Sequence, residues 1–164
     1  MTTGSIPRSI PGSSPGTGRG AGSYDRSRLI AELERDEGRR LKPYVDTTGK
    51  ITIGVGRNLT DVGISDADCD RMLNEDIAAA EAGLDRALPW WRQIGDVRQR
   101  ALVNMAFNLG LPTLLSFHAT LGAMEEGRWA AAAAGMRSSL WHAQIGARAE
   151  RLARMIETGR CDPK

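Results

Sequence analysis

The chain has 164 residues, with 22 lysines and arginines against 20 aspartates and glutamates and a net charge of +2 at neutral pH. The length suits one domain with its own core. The mild charge, without a recognised reader motif, argues against a nucleic-acid-binding protein. Two cysteines and two histidines match neither a disulfide framework nor a zinc spacing, so we expect no metal and no cofactor.

The N-terminal residues 1–23 are rich in glycine, serine, proline and threonine and contain almost nothing that could be buried. We expect a flexible leader there. It lacks the apolar run of a signal peptide or anchor, and no other stretch approaches the roughly 20 apolar residues of a membrane span. Residues 24–164 then form one folded domain.

The first predicted helix covers residues 25–37. Its apolar residues Leu29, Ile30 and Leu33 recur at steps typical of an amphipathic helix, and Glu37 continues the stripe. Gly38 favours a helix stop directly after it. The negative end of the helix dipole disfavours a further negative charge at Glu37, which suits a residue that must keep its proton.

A β-hairpin is predicted next. Residues 43–45 favour extended backbone, residues 46–49 have turn chemistry, and residues 51–56 alternate like a short strand. The hairpin should bring Asp46 and Thr52 close to one another and to the preceding helix end. Its two late glycines lack the third glycine of a dinucleotide-binding fingerprint.

Two carboxylates close together are what acid-assisted cleavage of an acetal requires. Glu37 and Asp46 would be such a pair. On the residues alone, however, each is more often a terminal glutamate or a turn aspartate, and Thr52 an ordinary strand residue. The spacing by itself therefore leaves the function open.

The rest of the chain is predicted to be helical. Ser65 and Asp68 have the spacing of a capping box, and Gly159 suits a final stop. Three longer helices are predicted, from Ser65 to about Arg86, from Asp96 to Asn108 and from Ala147 to Thr158. Between the last two, a helical turn is predicted to start at Pro112, and shorter helices follow around Leu121, Trp129 and Met136. We expect an α+β fold, mostly α, with a small hairpin lobe, a long connecting helix and a larger helical lobe.

Three segments, in order, resemble the phage-type lysozymes, the muramidase family of the T-even phage endolysins. Residues 36–56 match D-E-G-x-R-L-K-x-Y-x-D-T-x-G-x-x-T-I-G-x-G, and residues 104–110 match N-M-x-F-x-x-G. The stretch from 139 to 159 resembles the family's L-W…R…T-G ending. The resemblance runs from Leu29 to Gly159 and implies a two-lobed lysozyme-like fold and an N-acetylmuramidase.

The resemblance also implies catalytic roles. Glu37 matches the general acid that protonates the glycosidic oxygen. Asp46 matches the carboxylate that steadies the transition state and, with Thr52, orients the attacking water, which gives inversion.

Three further residues also match positions of the family. Arg148 matches an arginine that supports the catalytic glutamate, while Phe107 and Thr120 fall where the family contacts sugar. The chain departs from the family at Arg57, where relatives commonly have histidine, and at Gly135, where some present an asparagine to the sugar.

The family implies bacterial peptidoglycan as the substrate and host cell lysis as the role. We expect a monomer, held in the host cytoplasm until a holin permeabilises the membrane, that then acts in the periplasm and cell wall. The free-standing length favours an endolysin over a tail-borne lysozyme.

Two alternatives remain open. A lytic transglycosylase would use the same cleavage site, but the sugar's own 6-hydroxyl would attack in place of water. A membrane-disrupting protein would act through its basic C-terminal helices, partly without catalysis. The arginines concerned are Arg137, Arg148, Arg151, Arg154 and Arg160.

Overall fold

The computed structural model describes residues 24–161, which divide into two compact units, the first ending at Gly63 and the second beginning at Ile64. The predicted leader, residues 1–23, lies outside the described residues.

The first unit contains one helix and a small sheet. Its elements are α1 (Arg26–Glu37), β1 (Arg40–Val45), β2 (Ile51–Gly54) and β3 (Arg57–Asn58), and the strands form an antiparallel sheet in the order β1-β2-β3. The Asp25 carboxylate accepts hydrogen bonds from two backbone N–H groups of the first turn of α1, and Gly38 ends the helix at φ 74°. The predicted helix and hairpin are confirmed.

The β1–β2 pairing is irregular between Arg40 and Tyr44. Pro43 lies in this stretch and cannot donate a ladder hydrogen bond. Regular pairing resumes with Tyr44 opposite Thr52 and Val45 opposite Ile51.

The second unit is helical. Its elements are α2 (Asp66–Ala87), a short 3-10 helix (Trp91–Gln93), α3 (Asp96–Leu109), α4 (Leu111–Leu115), α5 (His118–Glu125), α6 (Trp129–Arg137), α7 (Leu140–Ile145) and α8 (Ala147–Thr158). With 22 residues, α2 is the long helix predicted from the sequence. The Ser65 hydroxyl caps it, accepting from the Asp68 N–H and donating to the Asp68 carboxylate.

One detail of the helix prediction is wrong. Trp129 and Met136 belong to a single helix, α6, and a separate helix, α7, follows it. The Ser139 hydroxyl starts α7 by accepting a hydrogen bond from the His142 N–H. The mostly helical α+β fold class is confirmed.

The hydrophobic core of the described residues lies in the second unit. At its centre, Leu102 and Met105 of α3 and Leu152 and Ile156 of α8 are at most 1% exposed. Ala153, also fully buried, lets the backbones of packed helices approach closely.

The core also contains two tryptophans. Trp91 and Trp141 are buried, and each indole N–H donates to a polar side chain: Trp91 to Asp85 (2.8 Å) and Trp141 to Asn108 (2.7 Å). These hydrogen bonds remove the cost of burying an unpaired indole N–H.

None of the helices within residues 24–161 is both long and apolar enough to cross a membrane.

Leu152→Ala should lower the free energy of unfolding by about 2–5 kcal/mol, because it leaves a cavity in a filled core. Leu140, which is 83% exposed, gives the matched control: Leu140→Ala should change stability by less than about 0.5 kcal/mol. Urea unfolding followed by circular dichroism measures both. Equal losses in the two variants would contradict this placement of the core.

Candidate active site

Asp46 is anchored by its own turn. Its Oδ1 accepts three hydrogen bonds, from the Thr48 N–H (2.8 Å), the Thr48 hydroxyl (2.8 Å) and the Lys50 N–H (2.9 Å). The backbone closes the same turn, with the Asp46 N–H donating to the Lys50 carbonyl and the Gly49 N–H to the Asp46 carbonyl. Gly49 adopts φ 81°, a conformation that glycine takes without strain. The carboxylate is therefore fixed by local interactions.

These hydrogen bonds favour the ionised carboxylate. The Lys50 N–H, followed by the Thr48 hydroxyl, lowers the pKa of Asp46 below the ordinary value of an aspartate, although partial burial opposes the shift. Asp46 is thus an anion over the whole neutral range, as a group that stabilises positive charge must be.

Thr52 lies beside Asp46 in the middle of β2. Its hydroxyl is 3.4 Å from Asp46 Oδ2 and also 3.4 Å from the Lys50 carbonyl oxygen. Both distances are long for a hydroxyl donor, so neither contact is a strong hydrogen bond. Thr52 is 3% exposed, and no other described residue of the first unit is buried. The hairpin brings the two predicted side chains together, as expected.

Glu37 is the last residue of α1, and its side chain is exposed. A β-carbon built on Gly56 would lie 3.8 Å from Glu37 Oε2, so the carboxyl lies against the turn that follows β2. Gly56 has φ 79°, which favours glycine, and a side-chain β-carbon there would only be in ordinary contact with Glu37. The first unit therefore carries all three predicted catalytic residues, on α1 and the hairpin; their roles stay a prediction.

The stripe that leads to Glu37 was expected to face a core. No residue of α1 is buried, and Leu29, Ile30 and Leu33 are between 36% and 49% exposed. The physical reason lies in the small size of the sheet, since three short strands offer little apolar surface to cover a helix.

Two other residues that the resemblance assigns to the site, Phe107 and Arg148, line a groove of about 530 Å³ in the second unit. Phe107 is 45% exposed there. The guanidinium of Arg148 donates from Nε (3.1 Å) and Nη2 (2.8 Å) to the Asn104 side-chain oxygen. This contact fixes the orientation of Arg148 within its own unit; its support of Glu37 and the sugar contact of Phe107 stay predictions.

Thr120 lies in the interior of the second unit and is only 5% exposed. Its hydroxyl faces Gly135 so closely that a β-carbon there would lie 2.5 Å from Oγ1. Packing therefore explains why Gly135 carries no side chain. A buried hydroxyl has little surface to offer to a sugar, and the sugar contact of Thr120 stays a prediction.

Thr48 is absent from the residues predicted from the sequence. An aspartate followed two residues later by threonine in a turn is the pattern that could have identified it, because such side chains bind nearby backbone and hydroxyl groups. Within residues 24–161, no group of three histidine, cysteine or acidic side chains could hold a metal ion.

The chain is similar to known proteins over most of its length. A family model described as phage lysozyme matches residues 34–155. The chain is 27% identical over 156 residues to "Probable T4-type lysozyme 1" of Dictyostelium discoideum, an alignment that covers 77% of this chain and 92% of the relative. It is also 27% identical over 162 residues to "Probable T4-type lysozyme 2" of the same organism, covering 81% and 95%.

A third relative is a larger protein. The chain is 33% identical over 155 residues to "Pre-baseplate central spike protein Gp5" of Enterobacteria phage T4. That alignment covers 77% of this chain but 27% of the spike protein.

Asp46→Asn should destabilise the protein in a pH-dependent way. Because the pKa of Asp46 is lowered on folding, the ionised carboxylate stabilises the folded state fully above its unfolded pKa of about 3.9. That contribution is lost as the pH falls through the lower folded pKa. Urea unfolding of wild type and variant between neutral and strongly acidic pH should show a difference that shrinks with acidification; a difference that does not vary with pH would contradict the anchoring.

Gly135→Ala should destabilise the protein by about 1–3 kcal/mol through overpacking against the Thr120 hydroxyl. In a Thr120→Ala background the cost should largely disappear, because the closest remaining atom, the Thr120 β-carbon, is 3.6 Å away. A double-mutant cycle of unfolding free energies measures the coupling. The same cost in both backgrounds would show that the two side chains do not compete for this space.

Proposed function

The chain belongs to the phage lysozyme family, and from this premise we propose that it hydrolyses the β-1,4 bond between N-acetylmuramic acid and N-acetylglucosamine in bacterial peptidoglycan. Family membership makes the chain a glycoside hydrolase. The proposal adds the bond that is cleaved and the way it is cleaved.

The observation that carries the mechanism is the Asp46–Thr52 pair. An anchored anion lies 3.4 Å from the Thr52 hydroxyl on the hairpin, and that hydroxyl is equally far from the Lys50 carbonyl oxygen. Such a pair can hold one water molecule, with the hydroxyl fixing its orientation and the carboxylate accepting its proton. The same negative charge stabilises the oxocarbenium-like transition state.

Glu37 supplies the proton in this mechanism. It protonates the glycosidic oxygen as the bond from that oxygen to C1 of N-acetylmuramic acid breaks, and the N-acetylglucosamine side leaves as an alcohol. Water then forms a new bond to C1 from the opposite face of the ring and gives its proton to Asp46. The anomeric centre is inverted, and a proton moves back to Glu37 through solvent before the next turnover.

Hydrolysis is favoured over transglycosylation by the same pair. A transglycosylase uses the sugar's own 6-hydroxyl as the nucleophile and has no need of residues that hold water. The Asp46–Thr52 contact would serve no purpose in that reaction.

The structure gives less support to killing by the basic C-terminal helices. Arg137 binds Glu150 (3.0 Å) and Glu157 (2.8 Å), and the guanidinium of Arg148 is bound to Asn104. Because Arg137 is paired with two carboxylates, it adds little to a field that could attract an anionic membrane.

We further propose that the protein serves host cell lysis as a monomer. In this role it stays in the host cytoplasm until a holin permeabilises the membrane and then acts in the periplasm and cell wall. Support comes from the phage lysozyme family, whose model matches residues 34–155.

The test compares wild type, Glu37→Gln and Glu32→Gln on purified peptidoglycan, with the products identified by mass spectrometry. Glu37→Gln should be slower by about 100-fold or more, because an amide cannot act as the general acid. Glu32 lies on the same helix and is exposed, so Glu32→Gln should match wild type.

Each product has a distinct meaning. Reducing muramic-acid ends formed by wild type and Glu32→Gln support the proposal. Ends with a 1,6-anhydro ring would mean a lytic transglycosylase. Cleavage by Glu37→Gln at the wild-type rate would mean that the acid lies elsewhere.

A further inference from the structure

The two oxygens of the Asp46 carboxylate have different surroundings. Oδ1 accepts three hydrogen bonds at 2.8–2.9 Å. Oδ2 has a single hydrogen-bond partner among the described residues, the Thr52 hydroxyl at 3.4 Å. One oxygen is saturated, and the other remains able to accept a proton.

Only one of the three donors to Oδ1 depends on a side chain. The N–H groups of Thr48 and Lys50 are backbone donors, which an aspartate-initiated turn offers whatever residues follow it. The Thr48 hydroxyl is the third donor, at 2.8 Å. It is therefore the part of the anchor that a substitution can remove without changing the backbone.

Thr48 has no other evident task. The residue is exposed, so it contributes little to packing. Its neighbour Thr47 is exposed in the same turn, and no hydrogen bond of the Thr47 side chain occurs within residues 24–161. The two adjacent threonines therefore differ in whether they bind Asp46.

We propose that Thr48 is a positioning residue for the hydrolytic reaction, since its hydroxyl holds Asp46 Oδ1 so that Oδ2 is the oxygen that faces Thr52 and accepts the proton of the attacking water. The inference rests on the proposed function. In the reaction the water O–H bond breaks, the oxygen bonds to C1 of the sugar, and the proton moves to Oδ2. With Oδ1 saturated, the carboxylate cannot rotate to present its other oxygen without losing three hydrogen bonds.

The threonine side chain suits this task in a second way. Its β-branch restricts rotation about χ1, so the hydroxyl loses little freedom when it binds Oδ1. Serine would keep the donor but rotate more freely, whereas valine would keep the branched shape and lose the donor. Comparing threonine, serine and valine at position 48 therefore separates the effect of the hydrogen bond from the effect of the branched shape.

The experiment measures kcat, KM and the pH dependence of kcat on soluble peptidoglycan fragments for wild type, Thr48→Val, Thr48→Ser and Thr47→Val. Thr48→Val should lower kcat by about tenfold, the typical worth of a hydrogen bond to a charged group, with little change in KM. The acid limb of its kcat–pH profile should move to higher pH, because the Thr48 hydroxyl helps to lower the pKa of Asp46. Thr48→Ser should restore most of both, and Thr47→Val should match wild type.

A purely structural role would give a different pattern, because a local destabilisation reduces the amount of folded enzyme without moving the acid limb. An unmoved acid limb together with an unchanged kcat in Thr48→Val would overturn the role of Thr48. An NMR titration of the Asp46 carboxyl carbon checks the anchor without turnover, and a pKa that does not rise in Thr48→Val would overturn it as well. Failure of the wild type to hydrolyse the fragments would instead overturn the proposed function, and the role of Thr48 with it.

Discussion

The hydrogen bonds to Asp46 Oδ1 are the constraint on which the hairpin of the candidate site depends. They close the turn between β1 and β2. The geometry of this turn sets the strand register, in which Tyr44 lies opposite Thr52. A slip of one residue would move the Thr52 side chain to the other face of the sheet. The interactions that fold the hairpin and those that orient the Asp46 carboxylate are therefore the same.

A second set of contacts holds the far side of the hairpin. Lys50 binds the Asp61 carboxylate at 2.6 Å, and Asn58 donates to the same carboxylate at 2.9 Å. Asn58 is also the partner of Thr52 across β2 and β3. An exposed ion pair contributes only about 0–1 kcal/mol, but here it fixes a two-residue strand that has few backbone hydrogen bonds. Thr52 is thus held from both neighbouring strands.

Much of this organisation could be predicted because the signals are local. The capping hydroxyl of Ser65 and the stop at Gly159 lie at the predicted ends of their helices, since a cap depends on a few consecutive residues. The hairpin followed from turn residues flanked by alternating strands. These features need no knowledge of the distant chain.

The features that escaped prediction depend on contacts between distant residues or on a choice of side-chain rotamer. The burial of Thr120 against Gly135 joins α5 and α6, and no spacing in the sequence reveals it. The break falls between α6 and α7 rather than between Trp129 and Met136, and it depends on the Ser139 hydroxyl accepting from the His142 N–H. The Thr48 hydroxyl could have faced solvent, as that of Thr47 does.

The most direct test of the central claim is the anomeric configuration of the first product. If the Asp46–Thr52 pair delivers water to the face opposite the leaving group, early NMR spectra should show the new reducing end as the α-anomer, with the β-anomer growing only as mutarotation proceeds. A β-anomer formed first would mean retention of configuration and a covalent or otherwise double-displacement route. That result would contradict the assignment of Asp46 and Thr52 as the residues that hold the attacking water.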